Sequence, residues 1–284
     1  PADGLPITVP NKEMILGVFY YTSLDENTPI LETIFADFNE AISAYQQGKL
    51  ALRRKINARK DKEILETSVG RILFNEILPT GNFVNETINL SKMKSLVNKA
   101  VQNQPRAEVA KLLDNIKKIG FTGATESGVS VGVFDFAMVT EKAGLITQAE
   151  SEVAEIEGNY QAGLITREEM RRLSVEVWMQ ATEKITDLTW GAYSKDNPVK
   201  VILDAGAGRA SRDTVKQLSG MRGLMSDPTG KIVPMPTKSN FRQGLSVFEY
   251  VTGTRGSRKG LADTALRTAD AGYLTRRLVD VAHD

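Results

Sequence analysis

Gly256-Ser-Arg-Lys-Gly-Leu-Ala-Asp-Thr-Ala-Leu-Arg-Thr-Ala-Asp-Ala-Gly-Tyr-Leu-Thr-Arg-Arg-Leu-Val-Asp280 is the stretch whose reading decides the fold of this 284-residue chain. No proline follows Pro236, and from Ser257 on the residues are mostly helix formers, so the spacing predicts one long helix within residues 238–284. Forty helical residues would span about 60 Å. At 100° per residue, Ala262, Ala265, Ala269, Gly272 and Tyr273 fall within roughly 100° of one another. Arg258 and Arg276 stand on that same stripe, about five turns or 27 Å apart, and Lys259 and Arg277 repeat the relation on a neighbouring face. Small side chains let a bulky group approach the backbone. Arginines at the ends suit phosphates, and a tyrosine offers a base a stacking surface. A small-residue stripe is also commonly a helix-packing seam and exposed arginines are usually solvated, so periodicity alone does not decide between the two.

Composition narrows the class. Hydrophobic content of 41% and charged content of 25% are ordinary for a globular protein, and the length allows one or two sizeable cores. No apolar run approaches the length of a membrane span, and the N-terminus carries no signal-peptide pattern. Zero cysteines exclude disulfides, thiol catalysis and cysteine-ligated metal, and fit a reducing cytoplasm. The one histidine, His283, leaves no His-rich metal site and no conventional histidine relay elsewhere. The net charge of +1 hides an asymmetry. From Lys200 onward there are 14 Lys and Arg against 8 Asp and Glu, hence +6; the first 199 residues carry 22 against 27, hence −5. A basic end on an acidic chain points to a polyanion as its partner. The chain opens at Pro1 and stops inside the expected helix, which fits a segment of something longer.

The rest reads as helices with small strands, hence mainly α with small β elements (α+β). Residues 11–21 form a short apolar helix with Asn11 as its cap. Residues 33–48 are helical by spacing (Ile34, Phe38, Ile42, Tyr45) and stop at Gly48. Residues 50–58 alternate apolar and basic and read as a strand. Residues 67–79 are a short apolar element, and residues 91–101 and 105–119 are two amphipathic helices, the second stopped at Gly120. Residues 147–193 are a helical hairpin. Thr147 with Glu150 and Thr166 with Glu169 carry capping-box spacing, and Gly163-Leu164-Ile165 lies between the arms. The first arm is expected to bury Val153, Ile156 and Tyr160. The second is expected to bury Met170, Leu173, Val177, Ala181, Ile185 and Leu188, spaced as in a coiled coil.

The stretch 256–280 closely resembles the bridge helix of bacterial RNA polymerase β′ subunits. Gln217-Leu-Ser-Gly-Met-Arg-Gly-Leu-Met225 resembles the loop that braces that helix in the family, and residues 120–133 resemble its Gly-Phe…Ser-Gly-Val-Ser-Val-Gly connector. The likeness is dense from Leu203 onward, moderate over 120–160 and patchy before that. It implies a pore-like region over 1–128 and a funnel region over 129–236. Within the funnel lie a rim coiled coil (147–193) and a bridge-supporting loop (217–236), followed by the bridge helix over 237–284. It further implies that Arg267, Thr268, Ala269 and Tyr273 line the active site. Arg258, Lys259, Arg276 and Arg277 would contact template and other nucleic acid, and Met221, Arg222, Gly223, Leu224 and Met225 would form the supporting loop. Gly163, Leu164 and Ile165 become the hairpin tip where Gre-type secondary-channel factors dock. Arg209 would lie near the incoming nucleotide's phosphates, although Gly206-Ala-Gly-Arg-Ala-Ser211 shifts the glycines of the family's Ser-Gly-Ala-Arg-Gly-Ser. Gln243 stands where glutamate is usual.

In the family the reaction is DNA-directed nucleotidyl transfer, in which two magnesium ions stabilise the attacking and leaving oxygens. The aspartate loop that holds them, Asn-Ala-Asp-Phe-Asp-Gly-Asp, does not occur in this sequence, and neither does the trigger loop. The resemblance therefore implies no complete catalytic set and no metal ligands in this chain. Its expected partners are the β, α and ω subunits, the remaining β′ segments, the DNA template, the RNA–DNA hybrid and the nucleotide, without a membrane. The expected location is cytoplasmic and nucleoid-associated. Two other readings stand beside it. One is a free-standing helical module that binds nucleic acid or protein. The other, remote, is an S-adenosylmethionine-dependent methyltransferase, for which Val199-Lys-Val-Ile-Leu-Asp-Ala-Gly-Ala-Gly208 would be the strand and glycine turn. The strand-helix repeats that such a fold needs do not follow it.

Overall fold

The computed structural model describes residues 6–60, 63–79, 83–208, 210–227 and 229–283. Among these the chain is mainly helical: ten α-helices and one three-stranded sheet. In order they are α1 (Glu13–Thr22), β1 (Ile34–Phe35), α2 (Phe38–Gln46), β2 (Ile56–Lys60), β3 (Glu63–Thr67), α3 (Val69–Glu76), α4 (Leu90–Asn103) and α5 (Arg106–Ser127). Then follow α6 (Lys142–Gln161), α7 (Arg167–Gly191), α8 (Pro198–Ala205), α9 (Arg212–Ser219) and α10 (Val247–Val281). They divide into two compact units, Pro1–Gly132 with Lys195–Ser211, and Val133–Ser194 with Arg212–Asp284. No helix among the described residues is long and apolar enough to cross a membrane.

The first unit is built on α1 and α5. Ile15 and Val18 of α1, Leu112 and Ile116 of α5, Met93 and Val97 of α4, and Phe74 of α3 share one core with Ile88 and Ala205. Ile15, Phe74, Met93 and Ile116 are wholly buried, and each such side chain stabilises by roughly 1.5–3 kcal/mol. A second core gathers Tyr21, Phe35, Ala41, Leu50, Leu52, Ile56, Ala58, Val69 and Ile72 around the sheet. Strand β1 runs parallel to β2, with Phe35 opposite Ala58, and β2 runs antiparallel to β3 from Ile56–Thr67 to Lys60–Glu63. Helix starts follow local chemistry. Asp37 accepts from Glu40 N–H, Ser68 from Arg71 N–H and Asn89 from Lys92 N–H, each side chain taking one of the first turn's unpaired donors.

Several sequence expectations shift here. The helix expected from residue 33 begins only at Phe38, because Asp37 caps it and Ile34–Phe35 pair with β2. The strand expected from residue 50 begins at Ile56. Asn11 is not the cap of α1: Lys12 occupies that place, and no side chain bonds the first turn. Gly120 does not stop α5. The helix runs on to Ser127, and the stop is Gly128, left-handed at φ 56°. Residues 199–205 are helical, not a strand, so the glycine turn at Gly206 closes a helix and the methyltransferase reading loses its first element.

The second unit holds the hairpin and the long helix. Trp178, Ala181 and Ile185 of α7, Ala149 of α6 and Met221 form its core, with Leu145, Val153, Val177 and Leu224 packed against it. The buried face of α7 runs Ser174, Trp178, Ala181, Thr182, Ile185, Thr186, Thr189, so Leu188 stays 43% exposed and Trp178 takes the place expected of Val177. The hydroxyls can go inside because each bonds a carbonyl one turn back: Thr182 to Trp178 O at 2.6 Å, Thr186 to Thr182 O and Thr189 to Ile185 O at 2.7 Å. Thr166 caps α7 as expected, its side chain accepting from Glu169 N–H. Thr147 does not cap α6, which starts a turn and a half earlier at Lys142, and its hydroxyl bonds Ala143 O instead.

Candidate nucleic-acid interface

The long helix begins ten residues before Ser257, at Val247. Ser246 accepts from Glu249 N–H, and the Glu249 side chain reaches back to Ser246 N–H at 2.9 Å, a reciprocal capping box. The same carboxylate accepts from Lys238 N–H at 2.8 Å and Ser239 N–H at 3.1 Å. Burial opposes its charge, but the N–H groups of Ser246 and Ser239 outweigh burial and hold its pKa down at about 2. Residues 240–243 are pinned ahead of the helix. Asn240 is buried and donates to Ser219 O and Gly220 O, Arg242 donates to Phe136 O, and the Lys142 ammonium donates to Gln243 Oε1 at 2.7 Å. Lys142 is only 7% exposed. Burial pulls its pKa below the usual lysine range, partly offset by the charge of Glu249.

The loop Met221-Arg-Gly-Leu-Met225 lies between α7 and α10. Met221 is fully buried beside Thr182. Arg222 stacks over Phe241 at 4.7 Å, and its guanidinium tip lies 3.0 Å from where a Gly253 Cβ would be. Gly223, at φ 79°, exchanges backbone hydrogen bonds with Thr237 at 2.9 and 2.8 Å. Leu224 joins the core, and the Met225 methyl lies 3.7 Å from where a Cβ on Gly256 would sit.

Past Lys259, α10 leaves its supports. At about 1.5 Å per residue its 35 residues run some 50 Å. Ala262, Ala265, Ala269 and Gly272 are exposed, and Tyr273 is 62% exposed. Among the described residues nothing lies within 4 Å of a Cβ built on Gly260 or Gly272. Among the described residues the small-residue stripe is therefore an open surface and not a packing seam. Arg258 lies exposed on it. Arg276 lies within 3.9 Å of Asp280, and Arg277 covers one face of the Tyr273 ring at 4.5 Å. Lys259 is half-buried, its ammonium 3.6 Å from the position of a Gly230 Cβ. The helix does not bring all four expected lining residues together. Ala269 and Tyr273 share the stripe, whereas Arg267 lies about 160° from Ala269 on the opposite face and Thr268 between the two. The Thr268 hydroxyl bonds Thr264 O at 2.7 Å. Arg209 lies outside the described residues.

The hairpin tip is a tight helix stop. Gly163 sits at φ 75°, its N–H reaching Tyr160 O at 3.0 Å, and Leu164 N–H reaches Asn159 O at 2.9 Å. That turn leaves Leu164 73% exposed, with Ile165 half-buried beside it. Among the described residues no three Asp, Glu, His or Cys side chains come together as a metal-ligand group.

Sequence reading placed the stripe but missed its root. Ser246-Val-Phe-Glu249 has the spacing of a capping box, a signal in the sequence that marks where the helix starts. Lys238 carries no signal of its own.

Residues 1–136 match the family described as RNA polymerase Rpb1, domain 3, and residues 244–284 match RNA polymerase Rpb1, domain 5. The whole chain is 43% identical to the DNA-directed RNA polymerase subunit beta' of Pelotomaculum thermopropionicum and 43% identical to that of Desulforudis audaxviator. It is 41% identical to that of Syntrophomonas wolfei. It covers 24%, 25% and 26% of these relatives respectively, so the chain spans about a quarter of the length of the curated relatives it matches. With both ends matched by Rpb1 domains and its full length aligned with these relatives, the chain belongs to the RNA polymerase β′ (Rpb1) family, as a segment of such a subunit.

Proposed function

We propose that this chain forms part of the wall of the RNA polymerase active site and secondary channel, with α10 as the bridge helix. The observation that carries this reading is the exposed stripe Ala262–Ala265–Ala269–Tyr273, with Arg258 and Arg276 at its ends, on a helix rooted firmly at its start and exposed along the stripe. Side chains of that size admit a base pair close to the backbone, while the arginines meet phosphates. Ala269 and Tyr273 face the hybrid end and templating base. Arg258, Lys259, Arg276 and Arg277 hold strand phosphates, Thr268 flanks the stripe, and Arg267 serves the opposite side of the helix. Arg209 binds nucleotide phosphate. The loop Met221–Met225 braces the helix, and Gly163, Leu164 and Ile165 offer the hairpin tip to a Gre-type factor. The reaction is DNA-directed nucleotidyl transfer by the assembled enzyme in the cytoplasm, on the nucleoid. The β, α and ω subunits, the rest of β′, DNA, the hybrid and nucleotide are its partners, and magnesium, the cofactor of the whole enzyme, is held outside this chain.

Association with a β subunit tests the reading. A stable, salt-resistant complex is expected, together with weak, strongly salt-dependent nucleic-acid binding and no nucleotide incorporation by the chain alone. Failure to associate with β would overturn it in favour of a free-standing binding module. Incorporation by the isolated chain would refute the division of labour.

A further inference from the structure

We propose that Lys238 is a positioning residue, a strut that ties both arms of the α6–α7 hairpin to the root of α10. Its backbone N–H, in no helix or strand, donates to Glu249 Oε1 at 2.8 Å in the first turn of α10. Its ammonium donates to Glu150 Oε1 of α6 at 2.5 Å and lies 5.6 Å from the ring centre of Trp178 of α7. One residue thus touches three helices, and both of its ends are anchored.

An exposed ion pair taken alone would contribute little, because water screens it. Lys238 and Glu150 are 41% and 45% exposed, so that discount applies. The indole face supplies a second attraction that solvent weakens less, since Trp178 is itself 4% exposed and part of the core. At the other end Glu249 also accepts from Ser239 and Ser246, so Lys238 N–H joins a carboxylate already fixed in place. Lys142 to Gln243 makes a separate, part-buried link between α6 and the same root. Two links from one hairpin to one helix start define an orientation, where a single link would leave a pivot. A displacement of the hairpin then reaches α10. Its consequence for nucleotide addition rests on the proposed role of α10; the tie itself does not.

The test uses polymerase assembled with the full β′ subunit that carries this stretch, in the variants K238A, K238R, E150Q and K238A/E150Q. Amide hydrogen exchange of residues 247–251 should quicken about fivefold in K238A, while amides of 178–185 keep their protection. The two single changes should be non-additive, as for residues that act through one contact. The kcat for single-nucleotide addition should fall about threefold at unchanged nucleotide KM, and K238R should restore both readouts. Unchanged exchange in K238A, additive single changes, or a K238R that behaves as K238A would overturn the strut. Faster exchange with unaltered nucleotide addition would leave the strut standing and overturn instead the assignment of α10 to the active site.

Discussion

Gly17 and Gly120 bring the backbones of α1 and α5 so close that a Cβ added at Gly17 would lie 1.8 Å from the Gly120 carbonyl oxygen. A Cβ on Gly120 would in turn lie 2.6 Å from Met14 O. The obstacle is backbone on both sides, so the helices must separate to admit a methyl, which opens the core that Ile15, Val18 and Ile116 share. Gly17→Ala should therefore destabilise the first unit by about 2–4 kcal/mol, read as a lower urea midpoint. Gly144→Ala is the control. Nothing lies within 4 Å of its Cβ position in α6, and it should be neutral or stabilising by up to ~1 kcal/mol.

Glu249 makes the root of α10 acid-sensitive. Its pKa of about 2 lies below its ordinary value of 4.5. A depressed carboxylate contributes stability that is fully present above the ordinary value and is lost as pH falls through 4.5 towards 2. The second unit should lose stability across that window. Glu249→Gln, which keeps one acceptor but no charge, should start lower and lose less. Unfolding midpoints between pH 7 and pH 2.5 check the difference in slope, and parallel curves for the two proteins would count against it.

What could be read in the sequence depended on whether a signal had one physical meaning. Thr166-x-x-Glu169 can do little besides cap a helix, and Gly163 between two periodic arms marks a stop, so the hairpin was legible. A helical glycine has several meanings. Gly120 looked like a stop and is a point of backbone contact. Gly253 and Gly256, inside the long helix, make room for Arg222 and Met225. Trp178 was missed on α7 because its one-residue offset from Val177 depends on which way Met221 packs, a tertiary fact. The stripe of α10 followed from spacing alone, whereas Arg267, expected beside Ala269 and Tyr273, lies on the far side of it.

The remaining glycines of α10 allow a test of bending. Gly260 and Gly272 meet nothing, so alanine there adds no clash and removes backbone freedom. Each substitution should stabilise the helix by about 1 kcal/mol, seen as slower amide exchange over 258–275. If bending of α10 accompanies translocation, the double variant should slow elongation in the assembled enzyme. Elongation at the normal rate despite a stiffened helix would remove bending at these glycines from the mechanism.

The last expectation concerns the arginines. A phosphate contact contributes through release of counterions, so each one lost should reduce the slope of log K against log salt by about 1. Arg258 is exposed on the stripe and Arg276, 81% exposed at its side chain, makes a loose pair with Asp280, so both are available for such contacts. Arg258→Ala and Arg276→Ala should each flatten the salt dependence of DNA binding between about 50 and 200 mM. Arg277 already lies against Tyr273, and its removal bares the ring. Arg277→Ala should therefore flatten the slope while weakening single-strand binding less than Arg276→Ala does, because the uncovered ring gains stacking surface. Titrations of labelled single-stranded and duplex DNA at several salt concentrations separate these outcomes. A slope that none of the three changes alters would place the DNA contact away from this face of α10.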